Sequence, residues 1–183
     1  MKYTKLGRRG PKVSTIGFGA WAIGGMNWGK TDDEVSKNAL RKAIENGVTF
    51  IDTADVYGFG HSENLVREVI EEMGEKNNIV VATKAGNDFY NTSSDDDLGY
   101  GPIKQNADYD YIIYAAEQSL KRLNIEAIDI LQLHSPEKKN YKKMIHGKHL
   151  KHSKGMVKSN MLAGVSNHFR KPINLFYSMT IMI

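Results

Sequence analysis

Four polar residues stand at or near the ends of strand-like runs, and their types suit proton transfer. Asp52, Lys84 and His134 each close a short run of apolar and β-branched residues, and Tyr57 lies in the segment that follows Asp52. Consecutive parallel strands are usually neighbours in a sheet, and parallel barrels carry their catalytic groups at the carboxyl ends of the strands. We therefore expect the four side chains to converge on one rim of the fold.

The chemistry of such a cluster follows from its side-chain types. A tyrosine hydroxyl titrates near pH ~10 and is a weak proton donor at neutral pH, whereas an adjacent ammonium group favours its ionised form. Lys84 would supply that ammonium group, Asp52 would fix its position, and His134 would orient a substrate carbonyl through a hydrogen bond. Taken singly, each residue has a simpler alternative as a solvated loop residue or a member of a structural ion pair.

Alternating strand and helix patterns predict the framework that holds these residues. Their order is typical of βα units around a parallel sheet, and hence of an α/β fold. The predicted strands span residues 13–19, 48–52, 79–84, 128–133 and 161–166, and the predicted helices begin near residues 31, 62 and 108.

The first two helices have recognisable starts. Thr31-Asp32-Asp33-Glu34 fits a capping box with Glu34 at the third helical position, and Val35 and Leu40 are predicted on the buried face that follows. Ser62 is predicted to cap the second helix.

One glycine-rich stretch invites a different interpretation. Residues 17–22 read Gly-Phe-Gly-Ala-Trp-Ala, which matches the loose dinucleotide fingerprint and follows a predicted strand. That fingerprint needs a helix to open at its third small residue, and no helix signal appears before Thr31. The stretch therefore does not predict a Rossmann site.

Several motifs recur together in a characteristic order. The longest covers residues 47–58, Gly-Val-Thr-Phe-Ile-Asp-Thr-Ala-Asp-Val-Tyr-Gly, and is followed by Ser62-Glu63. Shorter motifs are Thr83-Lys84, Ser119-Leu120-Lys121-Arg122-Leu123, Ile128-Asp129, Leu133-His134 and Gly164-Val165-Ser166-Asn167. Across residues 2–168 the sequence resembles the aldo-keto reductase family.

The resemblance implies a fold, a reaction and a catalytic tetrad. The fold would be a (β/α)8 barrel, and the reaction would pass hydride from NADPH, with NADH as the alternative, to a small-molecule aldehyde or ketone, giving an alcohol. Tyr57 matches the family's general acid, Lys84 and Asp52 match the pair that tunes it, and His134 matches the residue that orients the carbonyl.

The resemblance also implies cofactor contacts. Gly19, Ala20 and Trp21 match a loop that lines the cofactor site, and Asp52 matches a residue close to the nicotinamide ribose. Ser166 and Asn167 match contacts to the nicotinamide carboxamide.

The length and the last quarter of the sequence depart from the family pattern. The chain has 183 residues, whereas a full barrel typically takes about 250. We therefore predict one domain over residues 1–183, a partial barrel with five to six of eight strands, C-terminally truncated and divergent over residues 138–183. Such a chain would lack the segment that binds the adenosine end of the cofactor.

The alternative function is an inactive, reductase-derived binding or regulatory module. Open barrel edges would favour self-association of the chain.

Composition excludes some classes of site. Without cysteine there is no disulfide, thiolate nucleophile or cysteine-ligated metal. The start lacks the apolar core of a signal peptide, and the longest apolar stretch is too short to cross a bilayer, so we expect a cytoplasmic chain without a membrane partner.

The charge distribution is one-sided near the C-terminus. From residue 138 onward there are ten Lys and Arg residues and no Asp or Glu. A nucleic-acid patch would be one interpretation, but no base-reading motif accompanies the run, so we do not expect nucleic acid as a partner. His146, His149 and His152 would spread around a helix, and no metal site is expected from them.

Overall fold

A computed structural model describes residues 1–7, 10–26, 28–74, 78–91, 103–136, 158–159 and 162–165. Most of the basic run from residue 138 lies outside these ranges, as do His146, His149 and His152.

The described residues form nine strands and three α-helices. The strands are β1 (Tyr3–Lys5), β2 (Lys12–Ser14), β3 (Phe18–Gly19), β4 (Phe50–Asp52), β5 (Val80–Ala85), β6 (Ala127–Ile128), β7 (Ile130–His134), β8 (Lys158–Ser159) and β9 (Leu162–Val165). The helices are α1 (Asp33–Glu45), α2 (His61–Met73) and α3 (Tyr109–Leu123).

Five parallel strands form the central sheet, in the order β3-β4-β5-β7-β9. Helices α1, α2 and α3 connect successive strands of this sheet. The register places Ile51 beside Phe18 and Val81, and Leu131 beside Thr83 and Leu162. The antiparallel pair β1-β2 and the short parallel pair β6-β8 form two separate two-stranded sheets. The predicted α/β arrangement of βα units is confirmed.

The two faces of the sheet pack against different partners because strand side chains alternate. On the outer face Ile51 and Val81 belong to one buried cluster with Leu40 of α1, Val66 of α2 and Leu123 of α3. This cluster fixes the helices against the sheet.

The inner face has its own apolar cluster. Val80, Ala82 and Ile130 are at most 8% exposed and pack with Val13 and Leu6 of the β1-β2 hairpin segment. The hairpin therefore covers the amino-terminal end of the inner face. Two residues further along the same strands, alternation brings polar side chains to this face at the carboxyl end.

Two predicted strands are interrupted. The predicted strand 13–19 divides into β2, which pairs with β1, and β3, which pairs with β4. The Ser14 hydroxyl donates to the Ile16 carbonyl (2.7 Å), so the chain turns between the two strands and leaves Ile16 64% exposed. The predicted strand 128–133 is broken at Asp129, whose carboxylate accepts the Val81 N–H at 3.0 Å.

The helix starts also differ from prediction. Asp32, not Thr31, caps α1, and its carboxylate accepts the Val35 N–H at 3.0 Å. Val35, predicted on the buried face, is 66% exposed, and Ser36 is buried instead. The N-cap of α2 is Gly60, and the predicted cap Ser62 uses its hydroxyl elsewhere.

Among the described residues, no helix combines the length and the apolar character needed to cross a membrane.

Candidate active site

The predicted tetrad lies at the carboxyl end of the central sheet. Asp52 and His134 are the last residues of β4 and β7, and Lys84 is the last but one of β5. Gly19, at the end of β3, pairs in register with Asp52. Parallel strands bring these positions to one rim, as the sequence predicts.

Lys84 is the centre of the hydrogen bonding. The residue is 3% exposed, and Nζ donates to Asp52 Oδ2 at 2.8 Å, to the Thr53 carbonyl at 2.8 Å and to Tyr57 Oη at 3.2 Å. An ammonium group has three N–H donors, and these three acceptors use all of them. Because Tyr57 accepts from Lys84, its own O–H remains available to donate to another group.

His134 completes the cluster as a neutral imidazole. Its ring meets the Tyr57 ring edge to face, with centroids 5.6 Å apart and planes at 88°. Burial, and then the positive charge of Lys84, lower the pKa of His134 to about 4. A neutral imidazole carries a single N–H, so at pH 7 the ring can donate one hydrogen bond.

Close backbone packing fixes Tyr57. A Cβ atom on Gly24 would lie 2.8 Å from the Tyr57 carbonyl carbon, and one on Gly58 would overlap the Gly24 carbonyl oxygen. Gly58 also has φ +62°, a conformation that residues with a Cβ rarely adopt. Phe59 follows with φ 52°, so the turn after Tyr57 is held in a left-handed conformation.

Aromatic rings border the cluster on one side. The Trp21 ring stacks with Tyr57 (centroids 6.1 Å apart, planes at 26°), and Trp28 meets Trp21 edge to face at 5.5 Å. Trp21 and Trp28 are 45% and 58% exposed. The accessible side of Tyr57 therefore adjoins an aromatic surface.

The predicted cofactor contacts divide into three groups. Gly19 is exposed, and a Cβ placed on it would meet no atom within 4 Å, so the rim beside Asp52 has open space. Ala20 is fully buried in the outer core, its N–H bonding to the Asp52 carbonyl and its carbonyl to Ser62. Ser166 and Asn167 lie outside the described residues.

The residues at the rim fit a nicotinamide cofactor. Open space at Gly19, the half-exposed ring of Trp21 and the Asp52 carboxylate (35% exposed) together offer room, an aromatic surface and an acceptor for a ribose hydroxyl. Within the part of the chain that the structure describes, no group of three or more His, Cys, Asp or Glu residues is arranged to hold a metal ion.

Sequence reasoning gave no role to a buried ion pair behind the tetrad. Glu63 is fully buried, and its Oε2 accepts the Arg122 Nε–H at 2.6 Å. A signal was present, because Glu63 precedes the buried Val66 by three residues and so lies beside it on the inward face of α2.

Comparison with known sequences identifies one family. Residues 15–171 match the model of the Aldo/keto reductase family. An aldo-keto reductase of Bacillus subtilis is 39% identical over 137 residues, which cover 75% of this chain and 39% of that protein. A probable voltage-gated potassium channel subunit beta of Arabidopsis thaliana is 34% identical over 138 residues, 75% of this chain and 38% of that one.

Solved structures share the fold. An aldo-keto reductase of Bacillus halodurans in its holo form superposes with a TM-score of 0.67 at 24% identity, covering 91% of this chain and 51% of that one. The glycerol dehydrogenase of Gluconobacter oxydans gives a TM-score of 0.66 at 29% identity, covering 90% and 48%. The fold is therefore part of a (β/α)8 barrel, and the chain spans about two fifths of the length of the curated relatives it matches.

Proposed function

The chain belongs to the aldo/keto reductase family, and on that premise we propose that it reduces an aldehyde or ketone to an alcohol with hydride from NADPH. The observation that carries the proposal is the triple contact of Lys84 Nζ with Asp52, Thr53 and Tyr57. A buried ammonium group beside a tyrosine hydroxyl is the arrangement that proton donation to a carbonyl needs. The bound cofactor would supply the hydride.

Tyr57 is the proposed proton donor. Its hydroxyl accepts a hydrogen bond from Lys84, so its own proton is directed at whichever acceptor lies on the accessible side of the ring. A substrate carbonyl oxygen placed there takes that proton as negative charge develops on it. The positive charge of Lys84 then stabilises the phenolate that remains.

Asp52 and His134 position the reacting groups. Asp52 holds Lys84 through its 2.8 Å ion pair. His134, neutral because burial and Lys84 lower its pKa to about 4, donates its single N–H to the carbonyl oxygen. A charged imidazolium would compete with Tyr57 as the acid, and the low pKa prevents this at neutral pH.

The cofactor contacts are proposed on the matched residues. Gly19, Trp21 and Asp52 face the open side of the rim, and Ser166 and Asn167 are assigned to the carboxamide by sequence match alone. Ala20 would act by fixing the backbone of its neighbours, because its side chain lies in the core. Residues 1–183 are proposed to act as one domain.

A second candidate function is an inactive, reductase-derived binding or regulatory module. The observation that favours it is the 34% identity to a probable potassium channel subunit beta. The intact Lys84–Tyr57 contact favours the enzyme. The two functions differ in one measurable property, because only the reductase oxidises NADPH.

Replacement of Tyr57 tests the reductase. General acid catalysis typically contributes 10²- to 10⁴-fold, so Tyr57→Phe should lower NADPH-dependent benzaldehyde reduction by about that factor while NADPH binding is retained. The control is Tyr109→Phe, at the exposed start of α3, which should keep the parent rate. An active chain that is indifferent to Tyr57→Phe would refute the assignment, and NADPH binding without turnover in the parent would favour the regulatory module.

A further inference from the structure

The buried pair of Glu63 and Arg122 joins three elements behind the tetrad. Glu63 lies in the first turn of α2, where the helix dipole favours an acid. Its Oε1 accepts the Thr83 hydroxyl of β5 at 2.5 Å, and its Oε2 accepts the Arg122 Nε–H of α3 at 2.6 Å. One carboxylate therefore binds the strand that carries Lys84 and the helix that packs outside it.

The contact with Thr83 acts directly behind Lys84. Successive strand residues point to opposite faces, so Thr83 reaches outward to Glu63 while Lys84 reaches inward to Asp52 and Tyr57. Thr83 is fully buried. A shift of its hydroxyl would move the backbone from which Nζ extends.

The contact with Arg122 supports the turn that carries Tyr57. A Cβ atom on Gly60 would lie 2.7 Å from Arg122 Nε, and Gly60 has φ +95°. The turn of residues 57–60 therefore packs closely on the Arg122 side chain. Arg122 is held in turn by Tyr90, whose hydroxyl accepts from its second amino nitrogen at 2.7 Å and whose ring lies 5.7 Å from the guanidinium carbon.

A second buried carboxyl group, that of Asp55, interacts electrostatically with the Glu63–Arg122 pair. Asp55 is fully buried two residues before Tyr57, and its N–H bonds to the Lys84 carbonyl at 3.2 Å. Burial, followed by the charge of Glu63, raises the pKa of Asp55 well above its usual value, and Arg122 opposes this. Arg122 therefore binds the Glu63 carboxylate and also opposes the rise in the pKa of Asp55.

We propose that Glu63 and Arg122 are positioning residues that set the distance between Lys84 Nζ and Tyr57 Oη. Glu63 fixes β5 through Thr83, and Arg122 fixes the turn after Tyr57, so the pair spans the two elements whose separation defines the proton-donating contact. The expected change in rate rests on the proposed reductase function, whereas the expected change in the Lys84–Tyr57 geometry does not require turnover.

A pair of Thr83 variants isolates the link to β5. Thr83→Val removes the hydroxyl and keeps the shape of the side chain, whereas Thr83→Ser keeps the hydroxyl. Because small misplacements of reacting groups can cost about 10²-fold in rate, we expect Thr83→Val to lower kcat roughly tenfold or more, with the Kd for NADPH unchanged. Thr83→Ser should restore most of the rate.

A second readout does not need turnover. In a chain labelled with ¹³C at tyrosine Cζ, the Tyr57 resonance is assigned by its loss in Tyr57→Phe. We expect Thr83→Val and Arg122→Lys to move this resonance and Thr83→Ser to leave it in place. The matched control is Arg41→Lys, since Arg41 forms an exposed pair with Glu72 between α1 and α2 (2.7 Å) and does not touch the tetrad.

The outcomes separate the two proposals. If the parent shows no turnover but the resonance moves only in Thr83→Val and Arg122→Lys, the reductase fails and the positioning role stands. Alternatively, Thr83→Val and Arg122→Lys lower only the free energy of unfolding, while their Tyr57 resonance and their kcat per folded molecule equal those of Arg41→Lys. In that case the Glu63–Arg122 pair is structural and the positioning role is overturned.

Discussion

Acid should destabilise this protein through His134. Its pKa in the folded state is lowered to about 4 by burial and by Lys84, against 6.5 for an ordinary histidine. Between these two values the unfolded chain binds a proton that the folded chain does not. Stability contributed by the neutral ring is therefore present above pH ~6.5 and lost as the pH falls towards 4.

The size of the effect follows from the two pKa values. A difference from 6.5 to about 4 corresponds by linkage to about 2 kcal/mol lost between pH 7 and pH 5, and about 3 kcal/mol by pH 4. Since domains unfold at about 5–15 kcal/mol, a loss of this size is readily measured.

The assay compares the parent with His134→Phe by urea unfolding at pH 7 and pH 5. Between pH 7 and pH 5 we expect the parent to lose about 2 kcal/mol more unfolding free energy than the variant loses. Tyr109→Phe, at the exposed start of α3, keeps His134 and should keep the parent's pH dependence. A difference between parent and His134→Phe that stays constant with pH would show that protonation of His134 does not cost stability in the folded chain.

Two further substitutions test the packing of the site. Asp55→Asn should raise the free energy of unfolding more at pH 7 than at pH 4. Burial raises the pKa of Asp55, so this carboxyl group lowers stability increasingly as the pH rises. Equal effects at both pH values in urea unfolding would contradict this. Gly58→Ala should lower the free energy of unfolding by about 1–3 kcal/mol more than Gly29→Ala does. Both glycines have positive φ, but only the new methyl group at position 58 meets a backbone oxygen. Equal losses of unfolding free energy would show that this contact is unimportant.

The sequence was sufficient to bring the tetrad to one rim. Successive parallel strands are neighbours, which brings Asp52, Lys84 and His134 together at the carboxyl end of the sheet, and the structure has them there. Their roles stay predictions. Local patterns sufficed because these three residues lie at or next to the ends of their strands, and the position of a strand end depends little on the rest of the fold.

Other features depended on contacts distant in sequence. The break between β2 and β3 depends on pairing with β1 and on the turn at Ser14, neither of which a run of β-forming residues specifies. Ser62 looked like a helix cap, but α2 begins one residue earlier, and the hydroxyl instead bonds to Ala20 and Thr53.

The Glu63–Arg122 pair shows the same limit. The two residues lie 59 positions apart in the chain, and their contact exists only once α2 and α3 pack on the same sheet. Helical spacing indicates that the first turn of α2 faces inward. It does not indicate which basic residue pairs with Glu63.

Transfer of an isotopic label from the cofactor to the product tests the proposed reduction at Tyr57. The chain is mixed with benzaldehyde and NADPH that carries deuterium at the hydride-donating carbon, and the alcohol is analysed by mass spectrometry. Reduction through the Tyr57 site predicts alcohol with one deuterium on its hydroxyl-bearing carbon, formed by the parent and about 10²- to 10⁴-fold more slowly by Tyr57→Phe. Labelled alcohol no more abundant than in a protein-free blank, while the parent demonstrably binds NADPH, would contradict it.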